Sequence, residues 1–340
     1  PPPPPFQAED GIRDQGDGLV GSEMCIRDRP MSEQGKLQRR RTMLCRSWLF
    51  VNGADEVELA AAPASGADVL IQDIEDFTPP ALRPKARELS PEVIAGWRTA
   101  GAVAAVRINP LEGDGHNDIE AVMAGAPDIV ALPKVEDPDQ IEHLAMAITA
   151  LEERYNVLPG VTEILPNIET ARGLLHMGAI IKASGRIKAC LMASEDLAAD
   201  LGAERGVDGF ELAYCRQRFL VECVAAGVLA IDYPFTWDDV EAASRDARAA
   251  KRLGYKAKSA VASHHAALIN EALTPGADEV AEAARIVEAF EAGQAAGEGR
   301  VLLDGNLVEV PTYRNAKRVI DRARSMAGAS GESSKTGSEA

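Results

Sequence analysis

Eight short apolar runs, separated by longer stretches of helical period, organise the sequence from Arg46 onward. Alternation of this kind is typical of a parallel sheet covered by helices. Because no Pro/Ser-rich linker interrupts the series, it favours one closed (β/α)8 barrel, a TIM barrel of the α/β class, over the alternative of two doubly wound domains. The predicted strands are SWLFV (47–51), DVLIQDI (68–74), AVAAVRI (102–108), DIVALPKV (128–135), TEILPNI (162–168), KACLMAS (188–194), VLAIDY (228–233) and YKAKSAV (255–261).

A C-terminal helical and hairpin extension follows the eighth strand. We assign the catalytic barrel domain to residues 46–275 and the extension to residues 276–325. An extension of this type is suited to covering the barrel mouth or to docking on a neighbouring subunit. Residues 326–340 are small and polar, which predicts a disordered tail. The predicted elements of the extension are a helix over 277–294, a hairpin over 300–310 that turns at Asp304-Gly305, and a final helix from Tyr313.

The first thirty residues are interpreted as an artefact that takes no part in the fold. Gln7 to Asp14 and Leu19 to Arg29 look like the translation of a sequencing-library adapter, so residues 1–30 are predicted to be disordered. Met31 is then the expected start of the protein. Residues 31–45 are predicted to form an N-terminal leader ahead of the barrel.

The charge balance narrows the classes of partner. The net charge of −17 repels nucleic acid and anionic lipid, and Arg39-Arg40-Arg41 is the longest basic run. No apolar run reaches the ~18 residues that a membrane span needs. The cysteines beyond residue 30 form no C-x-x-C pair, so reduced thiols and a cytoplasmic location are expected. Small molecules are therefore the expected ligands.

Charged and polar side chains follow the predicted strands, at the end of the barrel where active sites form. Taken singly, such residues can be solvated loop positions. Seven or more acids meeting at one mouth would repel one another unless a cation lay among them. The residues that we place there are Asn52, Asp73, Glu75, Asp76, Arg107, Asn109, Lys134, Glu136, Glu169, Glu195, Asp196, Asp232, Lys256 and Lys258.

Glu169 and Asp196 form the sharpest pair, because each comes just after an apolar run and the two runs are neighbouring strands. Two carboxylates so placed could hold one Mg²⁺, with Mn²⁺ as an alternative, and leave positions open for water and a chelating substrate. The five histidines show no metal-ligand spacing, which disfavours zinc. Glu195 should point away from the ion while the backbone stays extended.

Arg107, at the end of strand three in VRINP, is placed where a long cation must face a ligand or a carboxylate. The plainer interpretation is a salt bridge to Asp73 or Asp76, which would not exclude a catalytic role. Lys134 in LPKVE is interpreted in the same two ways, as a residue that faces a ligand or as a salt-bridge partner of a carboxylate. No nucleophile motif accompanies His264-His265, so that pair is interpreted as the start of a helix.

These residues lie in segments that resemble the citrate lyase beta subunit and malyl-CoA lyase family of the HpcH/HpaI aldolase superfamily, over residues 46–324. Glu169 and Asp196 are 27 residues apart, as the family's metal ligands look to be. The matching segments are RSWLFVNG (46–53), LIQDIED (70–76), VRINP (106–110), LPKVE (132–136), NIETARG (167–173), SEDLAADLG (194–202) and ALTPGADEVAEAARIVEAF (272–290).

The resemblance implies roles for single residues. Glu169 and Asp196 would be the metal ligands, and Arg107 would stabilise an enolate. Glu309, in LVEVP, matches an acid that the family supplies from a neighbouring subunit, where better-known members carry Asp. Two further departures are Val261-Ala262-Ser263, where the family often has I-H-P, and Asn52, where it often has Pro. The other implied contacts are Arg107, Glu75, Asp76 and Lys134 with substrate, and Arg46 and Ser47 with a cofactor.

The implied activity is a Mg²⁺-dependent carbon-carbon lyase or synthase. It would interconvert a malyl-, methylmalyl- or citramalyl-CoA with an acyl-CoA and glyoxylate or pyruvate through an enolate. A homo-oligomer, trimer or hexamer, is expected. The alternatives are a malyl-CoA thioesterase, an aldolase for free hydroxy diacids that uses no CoA, and a subunit of a citrate-lyase-type complex.

Overall fold

The sheet is a closed barrel of eight parallel strands in sequence order, with β1 paired to both β2 and β8. The computed structural model describes residues 42–297 and 300–333. The TIM barrel prediction is confirmed, and each strand falls within the run of residues from which it was predicted or extends one residue past it. The strands are β1 (Ser47–Asn52), β2 (Val69–Asp73), β3 (Val103–Arg107), β4 (Ile129–Leu132), β5 (Glu163–Ile168), β6 (Ala189–Met192), β7 (Leu229–Asp232) and β8 (Ala257–Ala260).

Helices fill every interval between consecutive strands. Several begin at an Asp or Thr whose side chain accepts a backbone N–H of the first turn, as Asp137 does ahead of α4. The helices are α1 (Glu56–Ala61), α2 (Arg83–Thr99), α3 (His116–Val122), α4 (Pro138–Arg154), α5 (Ala171–Ile180), α6 (Ser194–Leu201), α7 (Ala213–Ala226), α8 (Val240–Leu253), α9 (His265–Leu273), α10 (Ala277–Ala295) and α11 (Val310–Ser333).

Alternate residues of each strand face opposite sides of the barrel wall. Trp48 and Phe50 of β1 lie in a buried cluster inside the barrel, whereas Leu49 and Val51 lie in the larger cluster beneath the helices. The same alternation governs the last residue of a strand. A charged residue there faces either the mouth or the surrounding helices.

Asp232 and Lys258 face the helices, which corrects their predicted place at the mouth. Asp232 has the parity of Ala230, which lies in the outer cluster, and accepts two hydrogen bonds from Arg216 of α7 at 2.8 and 2.5 Å. Lys258 Nζ lies 2.8 Å from Asp232 Oδ2 and 2.6 Å from Asp246 Oδ2 of α8. These four residues form a wall cluster between the barrel and the helices. Lys256 precedes β8 and lies at the opposite end of the barrel.

The extension consists of α10, a hairpin and α11. Hairpin strands β9 (Val301–Leu303) and β10 (Asn306–Val308) are antiparallel and turn at the predicted Asp304-Gly305, where φ is 49° and 80°. Positive φ at both positions is what a two-residue hairpin turn requires. Helix α11 begins at Val310, ahead of the predicted Tyr313.

The described contacts of the extension with the barrel lie at the amino end of the strands. Arg322 donates to the carbonyl oxygens of Met43, at 3.5 Å, and Lys256, at 3.1 Å. Helix α11 continues to Ser333, past position 326 at which the tail was predicted to begin, and residues 334–340 lie outside the described part of the chain. The predicted artefact and residues 31–41 of the leader also lie outside it. Over the ranges 42–297 and 300–333, no helix combines the length and apolarity needed to cross a membrane.

Candidate active site

Arg107 is held at the barrel mouth by Asp73, the last residue of the neighbouring strand β2. Its Nε and Nη2 donate to the two Asp73 carboxylate oxygens at 2.9 and 2.5 Å. Asp73 also accepts the backbone N–H groups of Glu75, at 3.0 Å, and Phe77, at 3.2 Å. A bidentate pair of this kind fixes the plane of the guanidinium. Of the two salt-bridge partners considered from the sequence, the structure selects Asp73.

The free edge of Arg107 faces two more carboxylates. Nη1 lies 3.1 Å from Glu75 Oε2 and 3.7 Å from Glu169 Oε1. The guanidinium stacks 4.9 Å from the Phe50 ring centroid. Burial alone would lower the pKa of Arg107, but the charge of Asp73 and its hydrogen bonds raise it, so the side chain is always a cation. Arg107 therefore presents one fixed N–H edge to the mouth.

Glu169 follows β5 and its side chain is completely buried, yet neither carboxylate oxygen has a hydrogen-bond partner. Asp196, in the first turn of α6, is 38% exposed. Buried polar groups are nearly always hydrogen-bonded, so an orphaned carboxylate needs a missing partner. A hard divalent cation fits, because the donors are oxygens and the half-exposed Asp196 leaves room for water or a ligand. The described ranges contain no group of three or more His, Cys, Asp or Glu that could hold a metal, so the fit is to an open, two-carboxylate site.

Lys134, just after β4, brings an ammonium group into the same space. Nζ lies 2.5 Å from Glu75 Oε1, 3.5 Å from Asp76 Oδ2, 3.8 Å from Asp196 Oδ1 and 3.9 Å from Glu169 Oε2. Burial would lower the pKa of Lys134, but its hydrogen bond to Glu75 and the nearby carboxylates raise it above the ordinary value. Together with Asp73, the mouth thus combines two cations with five acids.

Burial also changes the titration of the acids. It raises the pKa of Glu169 to about 8, against the opposing charge of Arg107. Burial likewise raises the pKa of Glu75, again opposed by Arg107. Without a divalent ion, Glu169 is therefore largely protonated at neutral pH.

A pH dependence of metal binding follows from Glu169. A divalent ion requires the ionised carboxylate, so its binding below the pKa of about 8 must release a proton. The apparent Mg²⁺ affinity should rise by up to about tenfold per pH unit below that value and level off above it. Calorimetric titration with MgCl₂ at about pH 6.5, 7.5 and 8.5, in buffers of different ionisation enthalpy, measures both the affinity and the proton release.

The metal-free protein should show the opposite trend in its free energy of unfolding. The pKa of Glu169 is raised on folding, so its contribution is present below the ordinary value of 4.5 and is lost as the pH rises through about 8. In the Mg²⁺ titrations, an affinity that stays constant between about pH 6.5 and 8.5 would contradict the raised pKa of Glu169.

Comparison with known proteins agrees with this geometry. The family model described as HpcH/HpaI aldolase/citrate lyase matches residues 46–263. The chain belongs to this family. Its barrel and mouth residues fall inside the matched range, and the prediction of a carbon-carbon lyase is confirmed at the level of the family.

Named relatives cover most of the chain. Citrate lyase subunit beta of Escherichia coli (strain K12) is 33% identical over 291 residues, covering 84% of this chain and 96% of that protein. The mitochondrial citramalyl-CoA lyase of Rattus norvegicus is 26% identical, covering 83% and 86%. The L-malyl-CoA/beta-methylmalyl-CoA lyase of Cereibacter sphaeroides is 28% identical, covering 82% and 94%.

Solved structures of family proteins share the fold. CitE from Mycobacterium tuberculosis, in complex with magnesium, acetoacetate and coenzyme A, is 27% identical with a TM-score of 0.68, covering 83% of this chain and 99% of that one. RipC from Yersinia pestis is 29% identical with a TM-score of 0.59, covering 70% and 99%. Family structures therefore include one that holds magnesium.

Arg46 and Ser47 are not brought to the mouth, and their assignment to cofactor binding stays a prediction. They lie at the amino end of β1, whereas the charged cluster lies at the carboxyl ends of the strands. The Arg46 guanidinium donates to Asp68 at 2.8 and 2.9 Å and to Thr274 at 2.7 Å. Ser47 Oγ accepts the Asp68 N–H at 3.0 Å. These groups join β1 to its neighbours.

Most of the other predicted site residues lie together at the mouth, whereas Glu309 and Glu195 lie outside this cluster. Glu75, Asp76, Arg107, Lys134, Glu169 and Asp196 all lie in the mouth cluster. Glu309 lies exposed at the start of α11, in the extension. Glu195 turns away from the cluster, although its backbone is helical and not extended as the prediction assumed, and its carboxylate accepts from Arg205, at 3.2 Å, and Thr236, at 3.0 Å.

Sequence reasoning assigned no site role to Phe50, whose ring lies against Arg107, and it left the partner of Arg107 open between Asp73 and Asp76. Strand parity could have found both. Asp73 lies two and four residues after Ile71 and Val69, which face the barrel interior, and Phe50 lies two after Trp48.

Proposed function

We propose that the protein is a Mg²⁺-dependent lyase that cleaves a β-hydroxyacyl-CoA of the malyl, methylmalyl or citramalyl type into an acyl-CoA and glyoxylate or pyruvate. Mn²⁺ is the alternative ion. The observation that carries the proposal is the buried carboxylate of Glu169, which lacks a hydrogen bond, lies 3.7 Å from the edge of Arg107 and shares the neighbourhood of the Lys134 ammonium with Asp196. The citramalyl-CoA and malyl-CoA lyases among the relatives, and the magnesium complex of a family structure, support it.

Cleavage moves one proton and one electron pair. The β-hydroxyl loses its proton and its oxygen becomes the carbonyl of the keto acid. The bond to the α-carbon breaks, its electron pair passes into the thioester as an enolate, and the α-carbon is then protonated to give the acyl-CoA. Each step requires stabilisation of a negative oxygen in a site with little water.

The residues of the mouth suit these requirements. An ion held by Glu169 and Asp196 would supply Lewis-acid polarisation of the hydroxy or keto acid. Arg107 is turned by Asp73 so that Nη1 remains to donate to the oxygen where charge develops. Glu75 and Asp76 hold the Lys134 ammonium, which lies where it can bind a substrate carboxylate. The same arrangement serves the reverse condensation.

Glu309 is proposed as the acid that a neighbouring copy supplies in a homo-oligomer, trimer or hexamer. Through Arg322, the extension contacts its own barrel at the amino end of the strands, which is the end opposite the mouth. This position favours a contact of Glu309 with the mouth of a neighbouring copy. We retain the proposed division into a barrel domain over 46–275 and an extension over 276–325. The replacement of the family's Asp by Glu adds one methylene, enough to alter the preferred substrate.

The rival functions share this metal chemistry. A thioesterase would admit water to the thioester of malyl-CoA. An aldolase for free hydroxy diacids would use a pyruvate enolate without CoA. A subunit of a complex is favoured by the likeness to citrate lyase subunit beta of E. coli. The lyase proposal gains from the relatives named for CoA thioesters, which cover more than 80% of the chain.

A substrate panel separates these functions. The purified protein is given malyl-, methylmalyl-, citramalyl- and citryl-CoA, with Mg²⁺ or with EDTA, and acyl-CoA, free CoA and keto acid are measured. We expect acyl-CoA and keto acid in equal amounts from at least one thioester, with turnover reduced about 10³-fold or more by EDTA. Free CoA without keto acid would indicate a thioesterase. Cleavage of free hydroxy diacids alone, or no turnover by the isolated chain, would reject the proposal.

A further inference from the structure

Lys134 competes for the same carboxylates that a divalent ion would use. Its Nζ lies 3.8 Å from Asp196 Oδ1 and 3.9 Å from Glu169 Oε2, the two expected ligands. It is also hydrogen-bonded to Glu75 at 2.5 Å and lies 3.5 Å from Asp76. An ion coordinated by Glu169 and Asp196 would therefore lie within a few ångströms of a full positive charge.

The backbone fixes the direction in which the Lys134 side chain leaves the main chain. Lys134 has φ of 51°, in the left-handed region that residues with a Cβ rarely adopt. The next residue is tied down, because the Val135 N–H donates to the Asn167 carbonyl at 3.2 Å and the Val135 carbonyl lies against Gly173. A Cβ at Gly173 would lie 2.3 Å from that oxygen. Strained conformations held in this way concentrate at functional sites.

We propose that Lys134 is a tethered cation that weakens Mg²⁺ binding until an anionic keto acid enters the site. This inference rests on the proposed metal site. In the absence of the ion the ammonium offsets part of the negative charge of these acids, and it would repel a divalent ion held by Glu169 and Asp196. A keto acid carboxylate beside Lys134 screens that repulsion and offers the ion further oxygen ligands. Ion and keto acid then bind with positive coupling, and each raises the affinity of the other by the same factor.

Calorimetric Mg²⁺ titrations of the full chain at about pH 9, with and without pyruvate, test the inference. This pH lies above the pKa of about 8 of Glu169 in the wild type. Because loss of the Lys134 charge would raise the pKa of Glu169 and of Glu75 further, each neutral variant is also titrated at a second, higher pH, and affinities are compared only where they no longer change with pH. Lys134→Met and Lys134→Gln remove the charge and Lys134→Arg keeps it. Lys182→Met removes an exposed charge in the turn just after α5 and serves as the matched control.

We expect Lys134→Met and Lys134→Gln to bind Mg²⁺ alone about tenfold more tightly than the wild type, since repulsion by a unit charge at this distance is worth at least that factor even in water. Pyruvate should tighten Mg²⁺ binding in the wild type and do so much less in these variants. Lys134→Arg and Lys182→Met should stay within about threefold of the wild type.

The outcomes separate the inference from the function beneath it. Mg²⁺ binding by the wild type with equal or weaker binding by both neutral variants would overturn the role of Lys134 and leave the metal site standing. Failure of all proteins to bind Mg²⁺, with or without pyruvate, would overturn the metal site and this inference together.

Discussion

Replacing Asp196 by Asn should reduce turnover by about 10³-fold, and Glu169→Gln should do at least as much, because each change removes one of two anionic ligands for the ion. Both substitutions keep the shape of the side chain, so the effect comes from the lost charge. Weaker Mg²⁺ binding should accompany the loss of rate. The measurements are steady-state turnover of the best thioester and Mg²⁺ titration of each variant.

Glu195→Gln is the matched control for Asp196→Asn. The two acids are adjacent in the first turn of α6, and both changes remove one negative charge from that turn. Glu195 is engaged with Arg205 and Thr236, away from the cluster, so its variant should stay within about tenfold of the wild-type rate. Equal losses in both variants would mean that the general charge of the helix start matters and that Asp196 is no ligand.

Arg107→Met should lower both activity and stability. The substitution leaves Asp73, Glu75 and Glu169 without their shared buried cation, which should lower the free energy of unfolding by about 3–5 kcal/mol. The N–H edge toward the developing charge is also lost, which should reduce turnover by about 10³-fold in the protein that remains folded. Chemical denaturation and turnover of the folded fraction measure the two effects.

Arg216→Met separates these two losses. Arg216 binds Asp232 at 2.8 and 2.5 Å, much as Arg107 binds Asp73 at 2.9 and 2.5 Å, but it lies in the wall cluster between the barrel and the helices. Its loss should cost about 3 kcal/mol of stability and change turnover of the folded protein by no more than about threefold. If both arginine variants lost activity in proportion to stability alone, Arg107 would be a structural residue.

The barrel and its mouth were predictable from the sequence because both depend on local patterns. Strand runs and helical periods fix the order of elements, and a parallel barrel brings all strand ends to one rim. Glu169 and Asp196 are therefore near neighbours once β5 and β6 are recognised. The positions of Arg107 and Lys134 in the same cluster follow from the ends of β3 and β4 by the same rule.

The wrong predictions concern the side of the barrel wall to which a side chain points. Asp232 and Lys258 are one residue out of phase with the inward-facing set, so they point into the wall, which only strand parity reveals. Arg46 and Ser47 lie at the start of β1, at the end of the barrel opposite the cluster, so their contact with a cofactor stays a prediction. The selection of Asp73 as the partner of Arg107 depends on tertiary geometry that the sequence pattern does not contain.

The buried carboxyl group of Glu169, which has no hydrogen-bond partner, favours the binding of an ion over the stability of the fold. An apolar side chain of similar size would suit that buried position better in the absence of an ion, since neither oxygen of the carboxyl group has a hydrogen-bond partner there. Selection for heat resistance alone would discard this glutamate. Its presence indicates selection for chemistry at the expense of thermal stability. Variants of this barrel that are selected only for a higher melting temperature should therefore be inactive.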